Sequence, residues 1–225
     1  VPVYGGVGCV TAQETVELAK RAEDLGCNVL SVITPSFAQA SQNELYEHYL
    51  CVAEAVHIPI VLYNIPARTG NALGVDTVRR LAEVDNIVGI KDSSGNFDQM
   101  LQYLEATAEK DFKVISGNDS LILWNLLAGG VGGIAGCANV YPENMVAIYE
   151  NFIRGDLEAA RKAQNAIRSF REVFRFGNPN TVVKSATALL GYPVGKCRRP
   201  FHQLSDEAVR ELKKVLEDNK AKGMA

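Results

Sequence analysis

Short apolar runs alternate with longer stretches of helical periodicity from the first residue to about residue 136; beyond that the pattern is helical alone. Val1–Tyr4, Val29–Ile33, Ile58–Leu62, Ile87–Ile90, Phe112–Ile115 and the glycine-dense Gly129–Gly136 read as strands, since brief apolar runs bounded by Gly, Pro and polar residues suit a buried parallel sheet. Between them lie helical patterns over 12–25, 41–55, 76–82, 97–108 and 120–127. Thr11 with Glu14 and Ser41 with Glu44 have the spacing of capping boxes, and Gly26 stands where a helix C-terminus favours glycine. Helices are predicted at 142–153, 156–175, 179–190 and 205–222.

Six strand–helix alternations joined by short loops imply parallel strands with helical crossovers. A strand about every 25 residues is the rhythm of a (β/α) barrel. The rival is a doubly wound sheet, which places a glycine-rich phosphate turn after its first strand. Gly5 to Gly8 match that turn weakly, and the second strand ends in Thr34 and Pro35 with no acidic residue. The expected division is 1–140 for the βα units and 141–225 for C-terminal helices packing on the barrel.

Composition narrows the function. A net charge of −3 gives no electrostatic reason to expect nucleic acid or an anionic membrane surface as partner. No apolar run has transmembrane length and no signal peptide is visible. Five dispersed cysteines without CxxC spacing suit reduced thiols in a cytoplasm, and three histidines form no metal-ligand pattern.

Candidate chemistry collects at the strand ends, where a barrel carries its active site. These positions hold Gly5–Gly6, Thr34–Pro35, Tyr63–Asn64, Lys91–Asp92, Ser116–Gly117 and Ala135–Gly136. Lys91 directly follows the apolar run Ile87–Ile90. A lysine there either snorkels to water or is desolvated, and a desolvated amine is a nucleophile for carbonyl carbon. A lysine, a phenol, small residues and backbone amides around one mouth suit a carbonyl substrate.

Two stretches carry a family resemblance: Tyr63-Asn-Ile-Pro-Ala-Arg-Thr-Gly70, and Gly89-Ile-Lys91-Asp92 with Ser93-Ser-Gly-Asn96 after it. In these the chain resembles the dihydrodipicolinate synthase / N-acetylneuraminate lyase family, pyruvate-dependent class I aldolases on a (β/α)8 TIM barrel. The resemblance spans residues 1 to about 215. It implies that Lys91 forms an imine with pyruvate, that Tyr63 shuttles protons, that Arg68 holds a substrate carboxylate, and that Gly117 and Ile134 line the pyruvate site. It implies no metal and no organic cofactor, because the iminium itself is the electron sink. It also implies a cytoplasmic homo-oligomer, dimer or tetramer, with pyruvate and a small aldehyde or keto-acid as partners.

The chain also departs from the family. It offers six βα units where the family has eight; its start matches the third strand, so the first two units are missing from the expected barrel. Phe37 stands where synthases have a second tyrosine, and Ser36 replaces an aromatic tied to lysine feedback, so no strong lysine inhibition is expected. Arg68 favours the synthase branch, and Lys196-Cys-Arg-Arg-Pro200 resembles the C-terminal motif of lyases and hydroxy-oxoglutarate aldolases. The leading expectation is a 4-hydroxy-tetrahydrodipicolinate synthase-like enzyme of lysine biosynthesis. The alternatives are an aldolase or lyase for 2-keto-3-deoxy sugar acids, 4-hydroxy-2-oxoglutarate or N-acetylneuraminate, and, in another class, a non-catalytic ketoacid-binding protein.

Overall fold

Strand pairing sets the architecture. In a computed structural model describing residues 1–224, β1 (Tyr4–Val7), β2 (Val29–Ile33), β3 (Ile60–Asn64), β4 (Ile87–Asp92), β5 (Lys113–Ser116) and β6 (Gly132–Gly133) form one parallel sheet. Their spatial order follows the chain, β1-β2-β3-β4-β5-β6. A doubly wound sheet reverses its order at a switch point; this one never does, which removes that rival.

The intervening helices are α1 (Ala12–Asp24), α2 (Gln42–Ala55), α3 (Pro66–Thr69), α4 (Val75–Leu81), α5 (Phe97–Ala106) and α6 (Ile122–Leu127). Their ends follow local chemistry. The Ser41 hydroxyl accepts from the Glu44 amide while the Glu44 carboxylate accepts from the Ser41 amide, a complete capping box. Thr11 caps α1 in the same way through the Glu14 amide. Gly26, at φ 84°, ends α1 in the left-handed region, with the Cys27 amide reaching back to the Ala22 carbonyl.

Register converts sequence alternation into two faces. Val7, Val32, Leu62, Ile90 and Val114 are successive cross-strand partners and all are buried. They pack with Leu45, Tyr49 and Val52 of α2, Val78 and Leu81 of α4, and Met100 and Tyr103 of α5. One residue further along each strand the side chains point to the opposite face. That row runs Ile33, Tyr63, Lys91, Ile115 and Gly132.

The chain divides into two compact units, Val1–Ile134 and a second beginning at Ala135. Residues 135–140, grouped by the sequence reading with the βα units, fall with the helices because the chain leaves the sheet after Gly133 and enters a 3-10 turn over Gly136–Asn139. The second unit holds α7 (Pro142–Ile153), α8 (Leu157–Ala166), α9 (Arg168–Glu172), α10 (Pro179–Leu189) and α11 (Asp206–Ala221). Its core includes Ile148, Ala160, Ile167, Val182, Leu212 and an edge-to-face pair of Tyr141 on Phe170 with ring centroids 5.4 Å apart.

The first strand differs from the prediction. It occupies Tyr4–Val7 instead of Val1–Tyr4, so Gly5 and Gly6 lie inside it and are not at its C-terminal end. The position beyond the strand is Gly8, whose φ of 152° suits glycine. The helix predicted over 156–175 is two helices that meet at Ile167. The glycine-dense segment contributes only Gly132 and Gly133 as strand.

Candidate active site

Tyr63 and Lys91 are register partners on adjacent parallel strands, so their side chains leave the same face side by side. The Lys91 amine lies 3.9 Å from the centroid of the Tyr63 ring. Both side chains are half-buried. The amine therefore packs over the ring of its cross-strand neighbour.

Parallel hydrogen bonding continues past the strand ends and builds a rim around this pair. The Thr34 amide donates to the Tyr63 carbonyl at 3.3 Å, Ser93 to Asn64 at 2.8 Å, Gly117 to Asp92 at 2.7 Å and Ile134 to Ser116 at 2.9 Å. Gly117 and Ile134 thus stand on the same rim as Lys91. Gly117 lies against Ser93 and the Lys91 stem: a Cβ built on it falls 3.0 Å from Lys91 Cε and well inside contact of Ser93 Oγ. Only glycine leaves room at that point.

Arg68 sits on α3, a single turn started by Pro66 and closed by Gly70 at φ 80°. Its side chain is exposed and makes no hydrogen bond or ion pair among the described residues, which leaves the guanidinium available to an anion. The loop after β2 is pinned from beneath by Asn71, which is 3% exposed. Its amide nitrogen donates to the carbonyls of Pro35 at 2.9 Å and Ala38 at 2.8 Å, and its oxygen accepts from the Ala40 amide at 2.8 Å. Thr34 Oγ1 donates to Thr69 Oγ1 at 2.9 Å, tying the β2 and β3 loops together. The pinned loop holds Phe37 at φ 83°, a costly conformation for a non-glycine residue, with its ring 97% exposed.

Three residues without a role in the sequence reading matter here. Asn64 and Asp92 follow Tyr63 and Lys91 and are themselves register partners, hydrogen-bonded at 2.7 Å and fully buried on the helix side of the sheet. Burial pushes the Asp92 carboxyl up from the usual carboxylate range, opposed by hydrogen bonds from Ser94 and Asn64. Ser93, half-buried beside Gly117, is the third. Their signal in the sequence was adjacency to the candidate residues Tyr63 and Lys91, which becomes informative only when the register is known. No group of three or more His, Cys, Asp or Glu among the described residues could hold a metal ion.

The model of the dihydrodipicolinate synthetase family matches residues 1–219. The chain belongs to that family. Among its relatives, the 4-hydroxy-tetrahydrodipicolinate synthase of Archaeoglobus fulgidus is 40% identical over 216 residues, covering 96% of this chain and 74% of that protein. The enzyme of the same name from Oceanobacillus iheyensis is 37% identical over 220 residues, with 97% and 74% covered. Solved structures agree in fold. Dihydrodipicolinate synthase from Thermotoga maritima superposes with a TM-score of 0.92 at 33% identity, over 98% of this chain and 76% of that one. A prophage protein of the same family from E. coli, solved in complex with pyruvate, superposes with a TM-score of 0.93 at 31% identity, again over 98% and 76%. No helix among the described residues is long and apolar enough to cross a membrane.

Proposed function

We propose that the chain is a Schiff-base-forming pyruvate aldolase, a 4-hydroxy-tetrahydrodipicolinate synthase-like enzyme that condenses pyruvate with an aldehyde in lysine biosynthesis. The observation that carries this reading is the Lys91 amine, 3.9 Å from the Tyr63 ring on a rim of small residues, in a chain of this family. Lys91 adds to the pyruvate ketone and loses water to give an iminium. Tyr63 relays the proton removed from the methyl group, giving an enamine whose carbon attacks the aldehyde carbonyl. Hydrolysis of the iminium then frees the product and restores the amine. Arg68, exposed and unpaired, holds a substrate carboxylate by its planar fork. Gly117 and Ile134 line the space beside the imine.

The six strand–helix units correspond in this proposal to units three to eight of a (β/α)8 barrel. The sequential parallel order and the 74–76% coverage of relatives support that assignment. The enzyme works in the cytoplasm as a homo-oligomer, a dimer or tetramer. Turnover tests the substrate assignment. Consumption of pyruvate with aspartate semialdehyde, abolished by Lys91→Ala, is the expected outcome. Retro-aldol release of pyruvate from keto-deoxy sugar acids instead would move the chain to the lyase branch. Activity unchanged by Lys91→Ala would refute the Schiff base.

A further inference from the structure

The two strands that carry the reactive pair repeat one arrangement a residue later. Tyr63 faces Lys91 on one side of the sheet; Asn64 faces Asp92 on the other. The second pair is fully buried and hydrogen-bonded from every side. Asn64 Nδ2 donates to Asp92 Oδ1 at 2.7 Å, and Ser94 Oγ donates to Asp92 Oδ2 at 2.6 Å. Asn64 Nδ2 also donates to the Tyr103 hydroxyl at 3.4 Å. The Leu73 amide donates to Asn64 Oδ1 at 3.0 Å. Tyr103 of α5 donates its hydroxyl to the Leu73 carbonyl at 2.5 Å, and Gln99 donates to the same oxygen at 3.0 Å. The cluster therefore joins the ends of β3 and β4, the segment before α4, and α5.

A polar cluster this buried is worth its desolvation only when every donor meets an acceptor. Here the matching is directional: an amide NH2 meets a carboxylate across the strand gap, at the position that immediately follows both reactive residues. Rigid strands transmit that constraint over one peptide unit. We infer that Asn64 and Asp92 are a positioning pair, which fixes the register of β3 against β4 from behind and thereby holds the Tyr63 phenol and Lys91 amine at their reacting separation. The inference rests on the aldolase reading above and adds to it two residues that touch no substrate.

The directionality supplies the test. Asn64→Asp sets carboxylate against carboxylate. Asp92→Asn either sets its NH2 against the Asn64 NH2 or turns it to the Ser94 hydroxyl, which must then accept instead of donate. The double variant Asn64→Asp/Asp92→Asn reverses the polarity of the bond: Leu73, the Ser94 hydroxyl and the cross-strand contact are satisfied again, and Tyr103, which accepts from Asn64 Nδ2 in the parent, can turn its proton to the new carboxylate because Gln99 keeps the Leu73 carbonyl paired. Parent and variants are incubated with pyruvate, quenched with borohydride over a time course, and the reduced adduct at Lys91 is counted by peptide mass spectrometry per folded molecule. Asn64→Asp is expected to form the adduct at least about 10-fold more slowly at saturating pyruvate, since misplacement of reacting groups by about 1 Å costs up to about 10²-fold, and Asp92→Asn, whose NH2 can turn to the Ser94 hydroxyl, to lose less. The pyruvate concentration for half-maximal rate stays within about threefold of the parent. The double variant returns to within about threefold of the parental rate, the coupling that distinguishes a directional pair from two independent defects. A purely structural role would lower the melting temperature and the folded fraction and leave the rate per folded molecule unchanged.

Asn64→Asp reacting at the parental rate overturns the inference. So does a double variant no faster than the slower single, or one that does not fold. If a single variant fails to fold, recovery of both fold and rate in the double still supports the pair. A parent that forms no adduct overturns the aldolase reading itself, and this inference with it.

Discussion

Gly117→Ala is the smallest change that tests the geometry of the rim. The added methyl would lie 3.0 Å from Lys91 Cε and 3.0 Å from Ser93 Cβ, and deep inside contact of Ser93 Oγ. Carbon atoms pack best at about 3.5–4.0 Å, so both carbons must retreat by about 0.5 Å or more. The Ser93 hydroxyl has an exit by rotation about χ1; the lysine stem is confined beside the Tyr63 ring. Overpacking of this kind costs about 1–3 kcal/mol. For a chain of this length that is a fall in melting temperature of about 2–12 °C. The chemical cost is larger, because displacement of the amine from its reacting position lowers the rate of imine formation by up to about 10²-fold. Scanning calorimetry and borohydride trapping read the two effects separately. Adding Ser93→Ala removes the worst contact and leaves the 3.0 Å approach to Lys91 in place. The 3.0 Å contact with the Cβ of residue 93 also remains, so the double variant is expected to regain part of the lost stability and little of the rate. Parental trapping rates in Gly117→Ala would refute the argument, since space beside Lys91 would then not depend on the missing side chain.

Tyr63→Phe keeps the ring beside Lys91 and removes the hydroxyl; exchange of pyruvate methyl protons into deuterated water, followed by NMR, is expected to slow by about 10²–10⁴-fold, the usual contribution of general acid–base catalysis. Asn71→Ala removes three hydrogen bonds beneath residues 35–40, a loss of about 2–4 kcal/mol at about 1 kcal/mol each; hydrogen exchange at Ala40 should rise while that of α4 stays unchanged. His48 is 6% exposed, its Nε2 has no partner, and burial holds its pKa below the usual imidazole value of 6.5. A lowered folded pKa means that the unfolded chain takes up the proton first, so stability is present above pH 6.5 and is lost as pH falls from there through the folded pKa. Denaturant titrations of His48→Phe at pH 7.5 and 5 should show less loss on acidification than the parent; an equal loss would contradict the assignment.

Much of the fold was legible because its signals are local. Ser41 with Glu44, and Gly26 after α1, depend on neighbours three or four residues away, and the structure contains those caps. Apolar runs such as Val29–Ile33 located their strands because a parallel sheet covered by helices buries them. The first strand was misplaced because Gly5 and Gly6 resemble a turn in sequence, whereas pairing of Tyr4 with Val29 and Val7 with Val32 draws them into the sheet. The break at Ile167 was invisible to periodicity because apolar residues continue through it on both sides.

Part of the geometry of the candidate site was legible in the same way. Tyr63 and Lys91 stood out by chemistry and by the stretches around them. Asn64 and Asp92 were in plain view, yet their partnership spans 28 residues and exists only through strand register. Asn71 supports a loop more than 30 residues earlier in the chain, a contact that no local pattern encodes.

The central claim is that Lys91 is a nucleophile toward pyruvate. Incubation with pyruvate, reduction with borohydride and peptide mass spectrometry test it most directly. The predicted result is one reduced pyruvate adduct per chain, on Lys91, absent without pyruvate and absent in Lys91→Ala. Folded protein that carries no adduct, or carries it on another lysine, would contradict the account.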